Sequence, residues 1–198
     1  WPPPPAGAMN AAPFDAASFS IPANGVRRIR VIELVPGQIV TRSTTDEAPL
    51  RDSQLVAQPE RDLIKLAVIE RHRASGHIGL GFVRGLGVQR GALASTVAHD
   101  AHNLIVAGVT ETDMALAASA CVRMGGGFAV AADGAVLAQL PLPVAGLMSD
   151  RPLDEVVAAQ DELLAACRAL GSRLENPFVA LSFLALTPIP ELRLTDRG

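Results

Sequence analysis

The stretch FAVAADGAVLAQL, residues 128–140, decides the fold class. Apolar residues recur at every second position on either side of Asp133-Gly134, the dipeptide that a type I′ turn requires between two antiparallel strands. A hairpin here marks a sheet built from neighbouring strands in sequence. On its N-terminal side the period changes. Thr110 followed by Asp113 carries a capping-box signature, and Met114, Ala117, Ala118, Cys121 and Val122 keep helical spacing until the glycines at 125–127 end it. On its C-terminal side, LPLPVAGLMSD (140–150) is a Pro-rich turn. It leads into a helix from about Pro152 to Leu170, with Ser149 or Asp150 as its cap, Pro152 in its first turn and Gly171 as its stop.

Upstream, short apolar segments pair in the same fashion. VRRIRVIEL (26–34) and QIVTRST (38–44) flank Pro36-Gly37, and DLIKLAVIERH (62–72) and HIGLGFVRG (77–85) flank a turn at Gly76. A loop rich in Asp, Glu and Pro separates those two pairs, and ALASTVA (92–98) pairs with LIVAGV (104–109). In HIGLGFVRG, Gly79 and Gly81 leave one strand face bare, which means close approach by another chain segment or by a ligand. No GK[ST] follows the glycines of 79–91, so they form no phosphate cradle. The expected fold is α+β: a largely antiparallel sheet built from hairpins and packed with two main helices as a sandwich.

Composition narrows the function classes. The chain has 198 residues, enough for one large domain that buries roughly 70% of its unfolded surface. Apolar residues are 49% and charged residues 19%, and mean hydropathy is above zero, so some apolar surface is expected to cover a partner. A net charge of -3 without a basic run argues against a nucleic-acid surface. No apolar run approaches the roughly 20 residues that span a bilayer. Cys121 and Cys167 lack a CxxC arrangement and read as reduced core thiols, from which a cytoplasmic location follows. The opening WPPPPAGAMNAAP (1–13) reads as a Pro-rich linker or arm, and the chain as a piece of something longer.

Chemistry concentrates in STVAHDAHN, residues 95–103. His99, Asp100 and His102 are metal-ligand types, but a hydrolytic metal site needs a further ligand and an activated water. The same residues also suit a turn that satisfies its own backbone amides through Asp100 and Asn103, or a loop that presents His and Asp to a ligand. Ser95 lies four residues before His99 but without the sharp elbow of a catalytic serine, and the H-x-E and P-C-x-x-C pair of zinc base deaminases is absent. Gly146 to Asp150 precede a helix N-terminus, where capping and anion or carbonyl binding compete as explanations.

Several longer stretches occur together: PGQIVT (36–41), ERDLIKLAVIERH (60–72), GFVRGLGVQRGALAST (81–96), MGGGFAVAADGAVLAQLPLPVAGLMSD (124–150) and NPFVALSFLALTPIPELRLTD (176–196). In this order the sequence resembles, almost continuously from about residue 14 to 198, the C-terminal domain of bacterial-type adenine deaminases of the amidohydrolase superfamily. The resemblance implies hydrolytic deamination of adenine to hypoxanthine and ammonia, in purine salvage. It implies a two-metal site with manganese or iron in a barrel that would precede residue 1, and no HxH of such a barrel occurs here, so no metal ligand is assigned to this chain. It further implies that His99, Asp100 and His102 act in catalysis within an H-D-x-H-N loop that closes over the purine. Asn103, Met148, Ser149 and Asp150 are then substrate-binding. The expected partners are adenine and the barrel domain of the same protein, in a homo-oligomer, without nucleic acid or membrane. The competing expectation is a purely structural or oligomerisation domain.

Overall fold

The computed structural model describes residues 9–25 and 27–198, so most of the Pro-rich arm lies outside the described residues. The element order is β1 (Ile21–Pro22), β2 (Arg28–Leu34), β3 (Thr41–Glu47), β4 (Leu50–Arg51), β5 (Gln54–Leu55), β6 (Ile64–Ile69), β7 (Ile78–Arg84), β8 (Ala92–Ser95), β9 (Leu104–Gly108), α1 (Glu111–Arg123), β10 (Gly127–Ala132), β11 (Ala135–Pro141), α2 (Leu153–Ala169) and α3 (Pro177–Phe183). Eight strands form one sheet in the order β11-β10-β8-β9-β6-β7-β2-β3. Every neighbouring pair is antiparallel except β2 and β7, which run parallel. The fold is α+β, and its decisive hairpin forms as the sequence requires: Asp133 and Gly134 both have positive φ, at 55° and 77°.

The sheet is covered on both faces. On one side α1 sets Met114, Ala117 and Cys121 against Ala67, Ala94 and Val106, and Phe19 joins them from a 3-10 turn at Ala16–Phe19. On the other, Leu163 and Cys167 of α2 and Phe178 and Leu181 of α3 pack on Leu66, Val68, Leu93 and Ile105. Strand β6 is therefore buried at all six positions, as expected of a strand with helices above and below it. Burial pushes both thiols up to about 12, which keeps them protonated. No helix among the described residues is long and apolar enough to cross a membrane.

Three local features differ from the sequence reading. The loop before residue 60 contributes β4 and β5 to a small three-stranded sheet, β1-β5-β4, closed over Val31, Leu63 and Phe82. Helix α2 is capped by the Pro152 backbone without a side-chain bond; the Ser149 hydroxyl instead accepts from the Arg151 N–H at 3.1 Å, and Asp150 takes no capping role. Residues 177–183, unassigned from sequence, form α3, with Asn176 as N-cap accepting from Phe178 and Val179 N–H and Pro177 at its first position.

The bare face of β7 is filled by the C-terminal segment. A methyl group at Gly79 would lie 1.8 Å from the Thr195 carbonyl oxygen, and one at Gly81 would touch Leu194 at 3.6 Å. Gly79 therefore admits the backbone of the C-terminal segment, and Gly81 the Leu194 side chain. We expect Gly79→Ala to displace residues 194–198 and cost about 1–3 kcal/mol by overpacking, measured by denaturant unfolding, whereas Gly134→Ser meets no atom within 4 Å and its cost comes from the positive φ of the turn.

Candidate functional site

The central strands β8 and β9 are antiparallel neighbours, and the loop joining them, 96–103, emerges at one end of the sheet. Thr96 anchors its start. Its N–H donates to the Gly127 carbonyl at 3.0 Å, while its buried hydroxyl accepts from the Gly127 N–H at 2.8 Å and donates to the Gly146 carbonyl at 2.6 Å. The loop closes on itself where the His102 N–H donates to the Ala98 carbonyl at 2.6 Å, with His102 in the left-handed region at φ 50°.

These contacts set the chemistry of the two imidazoles. His102 Nδ1 accepts from the Ala98 N–H at 3.3 Å, so in the neutral ring the proton resides on Nε2, as a donor. Burial, the His99 ring and the Arg71 guanidinium together hold His102 below its ordinary value of 6.5. His99 is fixed from α3: its N–H donates to the Ser182 carbonyl at 2.9 Å and its ring tilts against Phe183 at 4.9 Å. The two imidazoles meet edge to face at 5.5 Å. Asp100, between them, is exposed. Asn103 is buried and does not bond its own turn; its Nδ2 donates to Asp196 at 3.2 Å.

The second predicted cluster is brought against the first by Arg71. This side chain is 2% exposed, and its guanidinium donates to the carbonyls of His102 and Ala145, the latter at 3.1 Å. Ala145 belongs to a closed turn in which the N–H groups of Leu147 and Met148 donate to the Val144 carbonyl, at 3.0 and 3.1 Å. Gly146, at φ 73°, is required there: a methyl group would sit 2.7 Å from Arg71 Nη1. Met148 is 58% exposed, Ser149 half-buried and Asp150 exposed, all just beyond the clamped turn. Arg71 is itself held by its neighbour Glu70, whose carboxylate accepts from the N–H groups of His72, Arg73 and Ser75 and from the Ser75 hydroxyl. The described end of the N-terminal arm lies here too, since the Asn10 N–H donates to the Arg71 carbonyl at 2.9 Å.

Among the described residues no group of three or more His, Cys, Asp or Glu side chains is placed to hold a metal. Ser95 is buried with its hydroxyl exchanging bonds with Val97, away from any nucleophilic role. Arg71, Thr96 and Asp196 are members of the site that residue patterns did not single out. The available signal was the pair Glu70-Arg71 directly after an apolar strand, a place where charge must be fully partnered.

Residues 38–198 match the family described as adenine deaminase C-terminal domain. The chain belongs to the adenine deaminase C-terminal domain family. It is similar to proteins named adenine deaminase from Oleidesulfovibrio alaskensis (53% identity, 89% of this chain and 31% of that protein), Cereibacter sphaeroides (52%, 96% and 34%) and Desulfatibacillum aliphaticivorans (49%, 93% and 32%). The chain thus spans about a third of the length of these relatives. In this member of the family, the H-D-x-H-N loop and the 144–150 turn are one mechanical unit.

That unit has two measurable properties. Replacing Arg71 by Met leaves the carbonyls of His102 and Ala145 without their charged donor, and we expect a loss of about 3 kcal/mol in denaturant unfolding. Glu70 supplies a pH dependence. Burial opposes its charge, but the N–H groups of Ser75, His72 and Arg73 outweigh it and hold the carboxyl at about 2, against 4.5 unfolded. A depressed carboxyl stabilises the fold above the unfolded value and loses that contribution as pH falls from 4.5 toward 2. Melting temperatures measured from pH 6 to 3 should fall more steeply for the wild type than for Glu70→Gln.

Proposed function

We propose that this chain is the C-terminal part of an adenine deaminase and that its 96–103 loop closes over the purine. The net reaction is balanced at one carbon. The C6–N6 bond of adenine breaks, the oxygen of water takes the place of the amine, one water proton leaves with ammonia and the other resides on N1 of hypoxanthine. Among the described residues no side chains are grouped to hold a metal; in the proposed reading the manganese or iron that the resemblance implies would be held by the amidohydrolase barrel of the complete protein.

One observation carries the reading: Arg71 and Thr96 tie the His99-Asp100-His102 loop to the turn before Met148, Ser149 and Asp150, so two candidate substrate-facing segments form a single rigid edge. From that edge each group has a distinct capacity. The neutral His102 offers Nε2–H as a donor, which suits an acceptor nitrogen of the purine ring. The exposed Asp100 carboxylate can accept from the exocyclic amine and hold a proton as that amine departs. His99, seated on Phe183, keeps the loop backbone at a fixed height above α3. Met148 supplies apolar cover that excludes water and strengthens the polar contacts beneath it.

The proposed setting is a cytoplasmic enzyme of purine salvage that assembles with its own barrel and as a homo-oligomer. Exposed Leu153 and Val157 on α2 and Val179 on α3 support a covered apolar face. For the complete enzyme we expect Asp100→Asn to lower kcat/KM for adenine by roughly 100-fold or more, about 3 kcal/mol, with an unchanged melting temperature. Unchanged kcat/KM for both Asp100→Asn and His99→Ala would replace this reading with a purely structural or oligomerisation domain.

A further inference from the structure

A cleft of about 210 Å³ opens between the 98–103 loop and the C-terminal segment, lined among others by Val68, Ala98, Asp100, Asn103, Thr187 and Asp196. Its lining contains two carboxylates, a carboxamide and threonine hydroxyls, and no Lys, Arg or His. Asp100 and Thr187 are exposed at its rim, while Val68, Ala98 and Asn103 are buried beneath.

Asn103 gives the cleft its polarity. The side chain is 6% exposed, and its Nδ2 is committed to Asp196 Oδ1, which fixes the orientation of the amide and leaves Oδ1 as the acceptor. That oxygen is buried and has no hydrogen-bond partner among the described residues. A buried acceptor without a donor opposes folding, and such an atom in a functional loop calls for a donor from outside the chain. The Asp196 carboxylate that orients it lies 3.7 Å from His77 Nδ1 through its other oxygen, at the edge of the cleft. Val68, Ala98 and Ala185 make the rest of the lining near it apolar.

We propose that this cleft binds a compact cation that only donates hydrogen bonds, namely ammonium or a primary ammonium head. Ammonium donates in four directions, matching an acceptor set of Asn103 Oδ1, the Asp100 and Asp196 carboxylates and Thr187. Its charge would be balanced by the Asp100 and Asp196 carboxylates that line the cleft. Asp100 belongs both to this cleft and to the loop proposed to face adenine, so the cleft would receive the amine that deamination releases. Only that source of the ammonium rests on the proposed function; the binding itself follows from the lining.

The test is a 1H–15N NMR titration of the 198-residue protein with ammonium chloride, methylammonium chloride, potassium chloride and sodium chloride at constant ionic strength and neutral pH. The expected result is a saturable shift of the Asn103 side-chain amide and of backbone amides at 100–103 and 195–196. Its midpoint should be at least about tenfold lower for ammonium and methylammonium than for potassium or sodium. Thr187→Val, a change at an exposed position, should raise the ammonium midpoint several-fold, and Asn103→Leu should abolish saturation. Non-saturating shifts, or the same response to all four salts, would overturn the proposal and assign the cleft to water. Saturation by ammonium alongside an unchanged kcat/KM in the Asp100→Asn enzyme would uphold the cleft while refuting the proposed catalytic role of the loop.

Discussion

A buried guanidinium is the constraint on which the candidate functional end of this domain depends. Arg71 lies two residues past the end of β6, the strand with helices on both faces, and desolvation pulls its pKa down from that of a free arginine. A charge in that position is tolerated only when its donors are partnered, and the carbonyls of His102 and Ala145 accept from it out of two different loops, with the Met9 sulfur beside them. The demand of one cation for acceptors therefore determines where the H-D-x-H-N loop stops and where the 144–148 turn begins. Gly146 without a side chain and Thr96 with a hydroxyl complete the joint, the first by making room for the guanidinium and the second by bonding the same turn.

The electrostatics of the loop follow from that joint. Arg71 is close enough to disfavour protonation of His102, burial acts in the same direction, and the Ala98 N–H selects the tautomer. A donor imidazole with a fixed proton is the outcome, beside an exposed carboxylate that carries the opposite capacity. Glu70 and Asp46 represent the other use of charge in this fold. Glu70 fixes the loop that carries Arg71, and Asp46 holds β3 near β7 through Arg84, a bond that lowers the carboxyl to about 2. Both stabilise structure, whereas the Asp100 carboxylate of the 99–103 loop is exposed.

Much of the sheet was legible because its pairs are local. Asp133-Gly134 fixes its own hairpin, Gly76 closes the next, and Thr110 with the glycines at 125–127 brackets α1. Helix α3 escaped because FVALSFLAL is apolar on every side and shows no period, although Asn176-Pro177 carried a readable start. The parallel contact of β2 with β7 was not legible, since it joins segments about fifty residues apart through no turn chemistry. The same distance in sequence hid the site's supports. His99, Asp100, His102 and Asn103 stand together in the chain, whereas Arg71 and Asp196 reach them only after folding, and nothing in their immediate neighbours specifies that meeting.

The central claim is that the clamped loops form the edge that meets the purine in the complete enzyme. Hydrogen–deuterium exchange of the complete polypeptide, with and without a non-reactive adenine analogue, tests it directly. Protection confined to peptides covering 96–103 and 144–150, and absent from the 50–55 strands of the small sheet, is the result this account requires. Analogue binding that leaves both of those peptides unchanged would contradict it.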